Sequence, residues 1–234
     1  MSTLTSPVTS RRPSQRVAAK VVGTLLIILG ALTASAALAL IIVFGTDGRV
    51  DFGSHQVAGS GSAVVTDISK IQNTNEVVAL TGWPVVAASA SGGNASGVFI
   101  GIGRSRDVER FLAGVAFDQV TDIEFPPFEL NLSRIPGSMR ATPPAAETFW
   151  VASSESTTDA RLSWHITDGE YRMVIMNADG APGVITAARM QLVLPNAFPL
   201  SLAVFGVGLV VTSAGIVIAV LAITRGRRRP ELIR

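Results

Sequence analysis

Two stretches of the chain carry no charge for longer than most globular helices last. Residues 21–44 run for 24 positions and residues 200–224 for 25 without a charged side chain. A helix rises about 1.5 Å per residue, so the shorter run reaches roughly 36 Å against a hydrocarbon core of about 30 Å. Backbone inside lipid must satisfy its own hydrogen bonds, so two such runs predict two transmembrane α-helices. A secretory signal is the other reading of the first run. Its small-residue site Ala34-Ser35-Ala36 is followed by a further apolar LALIIVF, whereas a signal core lasts only about 7–15 residues. The expectation is therefore an uncleaved anchor. Arg11-Arg12 precedes Pro13-Ser14-Gln15 and reads as plain positive charge, not as a twin-arginine signal.

Charge then orients the spans. The formal total is only +2, but it hides a partition. Residues 1–20 carry Arg11, Arg12, Arg16 and Lys20 with no acid, a net +4. Residues 225–234 carry Arg225, Arg227, Arg228, Arg229 and Arg234 against Glu231, again +4. Residues 45–199 hold ten basic and sixteen acidic side chains, a net −6. Basic flanks abutting apolar spans stay on the cytoplasmic side. Both tails are thus expected in the cytoplasm of a plasma-membrane protein, with 45–199 outside. Tails this short attract anionic headgroups but offer no fold for reading nucleic acid, so membrane lipids are expected partners and nucleic acid is not. Within the spans, Gly30 and Ala34 are four apart, as are Gly208 and Thr212. Small residues at that spacing let helix backbones approach in lipid, making these four the helix-packing candidates. Neither span holds an ionisable residue, which disfavours an ion or proton pathway through them.

The intervening segment is long enough for one domain with its own core. The chain has no cysteine, which excludes disulfides, thiolate metal sites and a cysteine nucleophile. Seventeen arginines against two lysines, with abundant Ala, Gly and Val, suggest a GC-rich bacterial genome. Residues 45–61 are glycine-rich and read as a linker. Short β-branched runs at 62–67 and 76–81 read as strands, as do 83–89, where Pro84 suits a strand start, and 98–102. Residues 90–97 read as a loop. A helix is expected over 105–115, with Asp107 and Glu109 in its first turn and Val108, Phe111, Leu112 and Val115 on one face. A strand follows over 116–125. Five prolines then mark 126–147 as an irregular loop. Residues 148–153, 161–167, 170–177 and 185–194 complete the strands. Asp168-Gly169 between two of them predicts a hairpin. The three Trp and the single Tyr are expected in the core. The overall expectation is two transmembrane helices flanking a mainly-β exported domain, an antiparallel β-sandwich with one inserted helix.

Catalytic motifs are not completed. Gly101-Ile102-Gly103 lacks the third glycine of a dinucleotide loop, since position 106 is Arg. Gly93-Asn94-Ala95-Ser96-Gly97 displaces the serine of a nucleophile elbow by one position. His55 and His165 have no metal-ligand spacing, and His165 falls on the outward face of its strand. Asp118, Asp122 and Glu124 alternate; they read as solvated strand positions, with Ca²⁺ binding as the sharper alternative. Asn94 and Asn131 lie in glycosylation sequons that carry little meaning in a bacterium. No catalytic residue, metal ligand or cofactor is assigned.

The runs VFIGIGRSRDVERFLAGVAFDQV (98–120), FWVAS (149–153) and LSWHITDGEYRMVIMNADGAPG (162–183) together resemble a family of uncharacterised actinobacterial membrane proteins. Phe111 stands where that family usually has tyrosine, and Tyr171 where it has tryptophan. The resemblance implies an exported β-rich domain followed by a membrane helix, and it attaches no activity. The expectation is a non-enzymatic envelope protein whose sandwich binds a protein or envelope component. The alternatives are an envelope hydrolase with a dispersed acidic or serine site, and an accessory subunit that works through a partner membrane protein.

Overall fold

The computed structural model describes residues 15–124 and 129–227. The chain divides into two compact units, one made of the N- and C-terminal helical segments and the other of residues 44–198.

The helical unit pairs α1 (Gln15–Phe44) with α4 (Ala197–Arg227). Both are long and apolar enough to cross a membrane. Their large side chains mostly face outward, Leu32 at 65% exposure and Val210 at 69%. The residues they bury against each other are small. A Cβ added at Gly30 would lie 2.6 Å from Thr212 N and 2.7 Å from Gly208 O, and one at Gly208 would lie 2.7 Å from Ala34 N. Gly23 and Gly215 meet in the same way further along. The buried positions Gly23, Gly30 and Ala37 on α1, and Ser201, Gly208 and Gly215 on α4, each recur every seven residues. A seven-residue repeat keeps one narrow seam facing the partner along the whole helix. Lys20 is exposed on the first turns of α1; Arg16, Arg225 and Arg227 fall at the helix ends, and Arg11, Arg12, Arg228 and Arg229 lie outside the described residues.

The second unit is a sandwich of two sheets, with eleven strands among the described residues. The first sheet has the order β1 (Arg49–Gly59), β11 (Val184–Val193), β4 (Val85–Gly92), β9 (Asp159–His165). The second runs β7 (Glu129–Ile135), β6 (Phe117–Glu124), β2 (Ala63–Val65), β10 (Gly169–Asn177), β5 (Val98–Arg104), β8 (Trp150–Ser156), with β3 (Ser69–Ile71) also on β10. Pairing is antiparallel except between β2 and β6, which run parallel, so the sandwich is mixed where an all-antiparallel one was expected. The main core lies between the sheets, built from Val57, Ala90, Ile100, Leu162, Ile175 and their neighbours. A second core covers the outer face of the larger sheet.

Several local expectations are corrected. Residues 45–61 are no linker: β1 occupies most of them and pairs along nearly its whole length with β11. Its glycines and polar residues hide a strand because only Val57 and Gly59 are fully buried; the ladder to β11 supplies the order that propensity does not. This pairing sets Arg49 opposite Val193, so the chain enters and leaves the sandwich side by side. Residues 76–81 are not a strand but lie in the helix α2 (Thr74–Thr81). Its β-branched composition is overruled at the ends. Asn73 takes a left-handed φ of 60°, Asp168 accepts the Thr74 N–H (2.9 Å) and hydroxyl, and Gly82 at φ 75° returns its N–H to Val78 O. Residues 90–92 continue β4. The helix expected over 105–115 is α3 (Ser105–Phe111); turns and Gly114 at φ 78° close it early. The loop expected over 126–147 contains β7, which pairs with β6, and a 3-10 turn at Pro144–Ala146; Pro126 and Pro127 lie outside the described residues. The Asp168-Gly169 hairpin does not form. Strand β9 pairs with β4 in one sheet and β10 with β2, β3 and β5 in the other, so this dipeptide carries the chain across the sandwich.

Gly101 and Gly103 have a packing role. A Cβ at Gly101 would lie 2.7 Å from a Phe99 ring atom, and one at Gly103 would lie 2.8 Å from Val108 Cγ2 and 3.1 Å from the Phe149 ring. The glycines open a shelf on β5 for stacked aromatics: the Phe149 and Trp150 ring centroids are 4.3 Å apart, those of Phe99 and Trp150 5.1 Å. Trp150 donates its indole N–H to Pro144 O at 2.8 Å, which satisfies its one polar atom.

Candidate functional site

The sheets do not close completely. On one side a cleft of about 500 Å³ opens between them. Its walls include Val86 and Trp164 from the smaller sheet and Ile102, Tyr171 and Met173 from the larger. Trp164 and Tyr171 lean together with centroids 4.6 Å apart, and the Tyr171 hydroxyl meets Thr167 Oγ1 at 3.0 Å. On another side a cavity of about 240 Å³ lies among Val57, Val64, Ile100, Leu130, Ile175 and Ala188. Thr66, Val120, Met173 and Met190 line both, so the two spaces share a wall. Thr66 spends its polar groups on the wall itself: its Oγ1 accepts the Met173 N–H at 2.9 Å and its N–H donates to Met173 O. Polar side chains gather at the rims instead. Asp67, Ser69, Thr121, Asp122 and Arg172 line the larger opening, Arg172 paired with Glu109 at 3.3 Å, and His55 and Arg189 line the smaller. Arg189 is already held by Asp51 at 3.1 Å. A pocket with mostly apolar walls and a polar rim is built to hold an apolar group, and two flexible methionines let its wall adapt.

The acidic alternation along β6 does not assemble. A bulge between Val120 and Asp122 breaks the register, so Asp118 turns inward while Asp122 stays exposed. Asp118 accepts the Gly61 N–H at 2.6 Å and pairs with Arg134 at 3.3 Å. It ties down the crossing from β1 to β2 and is not available as a cation ligand. The side chain of Glu124 lies outside the described residues. Among the described residues no group of three or more His, Cys, Asp or Glu is placed to hold a metal ion. His165 is exposed, edge-on to Trp83 with centroids 6.4 Å apart. Trp83 itself is 51% exposed, against the expectation of a core residue. Asn94 of the first sequon donates to Asp179 at 3.0 Å, a turn-to-turn tie.

Three carboxylates, Asp168 and Asp179 at chain crossings and Asp51 at the bulge in β1, have lowered pKa values. The Thr74 hydroxyl and N–H lower the Asp168 pKa; the Gly53 N–H and then the Gln191 amide lower Asp51; the Ala181 N–H and then Asn94 lower Asp179. A carboxylate with a lowered folded pKa adds stability above its unfolded value of about 3.9 and loses it as pH falls through the folded value. The melting temperature of the β domain is therefore expected to hold from neutral pH down to about 4.5 and to fall below about 4. In Asp168→Asn this acid-dependent drop is expected to shrink. A full-size drop in that variant would remove Asp168 from the account. Thermal melts from pH 7 to 2.5, read by intrinsic fluorescence, check it.

No protein-family model and no curated protein matches this chain.

Proposed function

We propose that the chain is a two-span cell-envelope membrane protein with both termini cytoplasmic. Residues 45–199 stand outside as a non-enzymatic sandwich that binds an envelope component. The observation that carries the binding half is the apolar cleft between two otherwise well-packed sheets. A gap whose walls are mostly Val, Ile, Met and aromatic residues offers ordered water few polar partners and costs dispersion contacts, so a sandwich keeps one for an occupant. The membrane half is supported by the two outward-apolar helices and the basic tails. The antiparallel pairing of Arg49 with Val193 fits a domain whose two connections leave from one end. The absence of cysteine makes the topology directly testable. In intact spheroplasts a membrane-impermeant maleimide is expected to label Thr157→Cys in the domain and to spare Ser6→Cys in the tail. The reverse pattern would sink the proposed orientation.

The end of the domain bearing Trp83 belongs to this reading. Thr81 O accepts the Asn196 N–H at 2.9 Å, and Asn196 immediately precedes α4. Leu80 and Trp83 are 64% and 51% exposed there. Trp83 lies two residues along the chain from Thr81, and a half-exposed tryptophan suits the headgroup layer. In reconstituted vesicles, lipids brominated near the headgroup are expected to quench part of the tryptophan emission, and Trp83→Phe is expected to remove most of that quenching. Unchanged quenching in Trp83→Phe would place the residue away from the lipid.

A further inference from the structure

We propose that the inter-sheet cleft is a slot for one linear hydrocarbon chain of a membrane lipid with an uncharged or zwitterionic headgroup. The proposal rests on the reading that the domain stands against a membrane. Placement argues for a thin chain over a bulky group. The larger cleft, about 500 Å³, and the smaller cavity, about 240 Å³, share the wall residues Thr66, Val120, Met173 and Met190 and both lie between the two sheets. A gap between two facing sheets, which pack about 10 Å apart, admits a thin extended chain more readily than a bulky group. Chemistry argues for hydrocarbon. Thr66 turns its hydroxyl to the Met173 N–H and the Tyr171 hydroxyl is engaged by Thr167, so a polar ligand entering the slot would lose its own hydrogen bonds to water. Each methylene moved from water onto these walls is favourable instead. Charge selects the head. Asp67 stands at the larger opening, where the one cation among the described residues, Arg172, is already paired with Glu109 at 3.3 Å, and the domain as a whole is acidic, so an anionic head finds no unpaired cation at that mouth and meets like charge. At the other mouth Arg189 already pairs with Asp51.

The test uses the full chain in phosphatidylcholine nanodiscs doped with a phosphatidylcholine whose acyl chain carries a terminal diazirine. After photolysis, adducts are mapped by mass spectrometry. Adducts are expected on the slot walls, at Met173, Met190 and Val120, as well as on α1 and α4. Met190, 39% exposed, accepts a larger side chain without burying it. Met190→Trp is expected to cut wall adducts about tenfold while leaving those on the helices, and Met190→Ala to keep both. Ala188→Phe, which fills the smaller cavity, is a second block should Met190→Trp alter the fold by circular dichroism. Helix adducts with bare slot walls would overturn the slot and leave the membrane reading standing. Adducts on neither would overturn the membrane reading as well. Adducts confined to the helices and Leu80–Trp83 would also overturn the slot, since they report only surface contact. Equal wall labelling by a diazirine phosphatidylglycerol would overturn the headgroup selection.

Discussion

Replacing Gly30 by leucine is expected to force the two long helices apart and to cost roughly 1–3 kcal/mol of helix–helix association, the usual range for overpacking. The cause is backbone proximity. The first atom of any side chain at this position would sit 2.6 Å from the amide nitrogen of Thr212 and 2.7 Å from the carbonyl of Gly208. Those are main-chain atoms of a regular helix, which do not rotate aside as a side chain does. Between apolar helices in lipid, close approach yields dispersion contacts that a hydrophobic drive cannot replace. Larger side chains return such a pair to the common interaxial distance of about 8–10 Å. Spin labels at Ala18→Cys and Thr224→Cys, in the cysteine-free background, read that separation directly. Gly206→Leu is the matched control, because a Cβ at Gly206 meets nothing within 4 Å. The distance distribution is expected to lengthen and broaden in Gly30→Leu and to stay put in Gly206→Leu. Equal behaviour of the two would show that the seam does not hold the helices.

Removing the Asp118 carboxylate is expected to destabilise the sandwich by about 2–3 kcal/mol, the range for losing charge-assisted hydrogen bonds inside a protein. Its side chain is only 7% exposed, and it ties the crossing from β1 to β2 to the β6–β7 ladder, in which it stands opposite Arg134. One oxygen takes the Gly61 N–H on the crossing from β1 to β2, while Arg134 on β7 holds the carboxylate and also donates to Ser60 Oγ at 2.6 Å. Asp118→Ala leaves the Gly61 N–H buried without an acceptor and a guanidinium without its anion. The second loss is softened because the Arg134 side chain is 42% exposed and regains water. Arg134→Ala is accordingly expected to cost less, about 1 kcal/mol, since Gly61 keeps its acceptor. Urea denaturation of the full chain, followed by the fluorescence of the three tryptophans, ranks the variants. The account fails if Arg134→Ala costs as much as Asp118→Ala.

The segments carrying the family resemblance turn out to be packing segments. Phe111, Phe149 and Trp150 from FLAGV and FWVAS meet on the glycine shelf of β5. Tyr171, from the DGEY run, is a member of the inter-sheet core. A likeness concentrated there describes how a sandwich is built and carries no information on binding. The cleft draws on Val57, Val86, Met173 and Met190, which lie on four different strands and form no motif along the chain.

The apolar runs at 21–44 and 200–224 announced α1 and α4, because a span of uniform hydropathy needs no partner to be recognised and a helix satisfies its own backbone. Small residues four apart also pointed to Gly30, Ala34, Gly208 and Thr212, though the seven-residue recurrence from Gly23 and from Ser201 is the fuller signal and was equally present in the chain. Strand propensity located β5, β6, β9, β10 and β11 to within a few residues. Which strands pair was another matter. Asp168-Gly169 has the chemistry of a hairpin, yet β9 and β10 bury their inward faces against each other's sheets and find their ladders on β4 and β5. The polar strand β1 and the helix α2 likewise owe their form to β11 and to Asp168, residues more than ninety positions away. Local sequence reports what a segment prefers alone; in a sandwich whose consecutive strands mostly change sheets, hydrogen-bond partners come from afar, and the cleft they leave exists only once both sheets are in place.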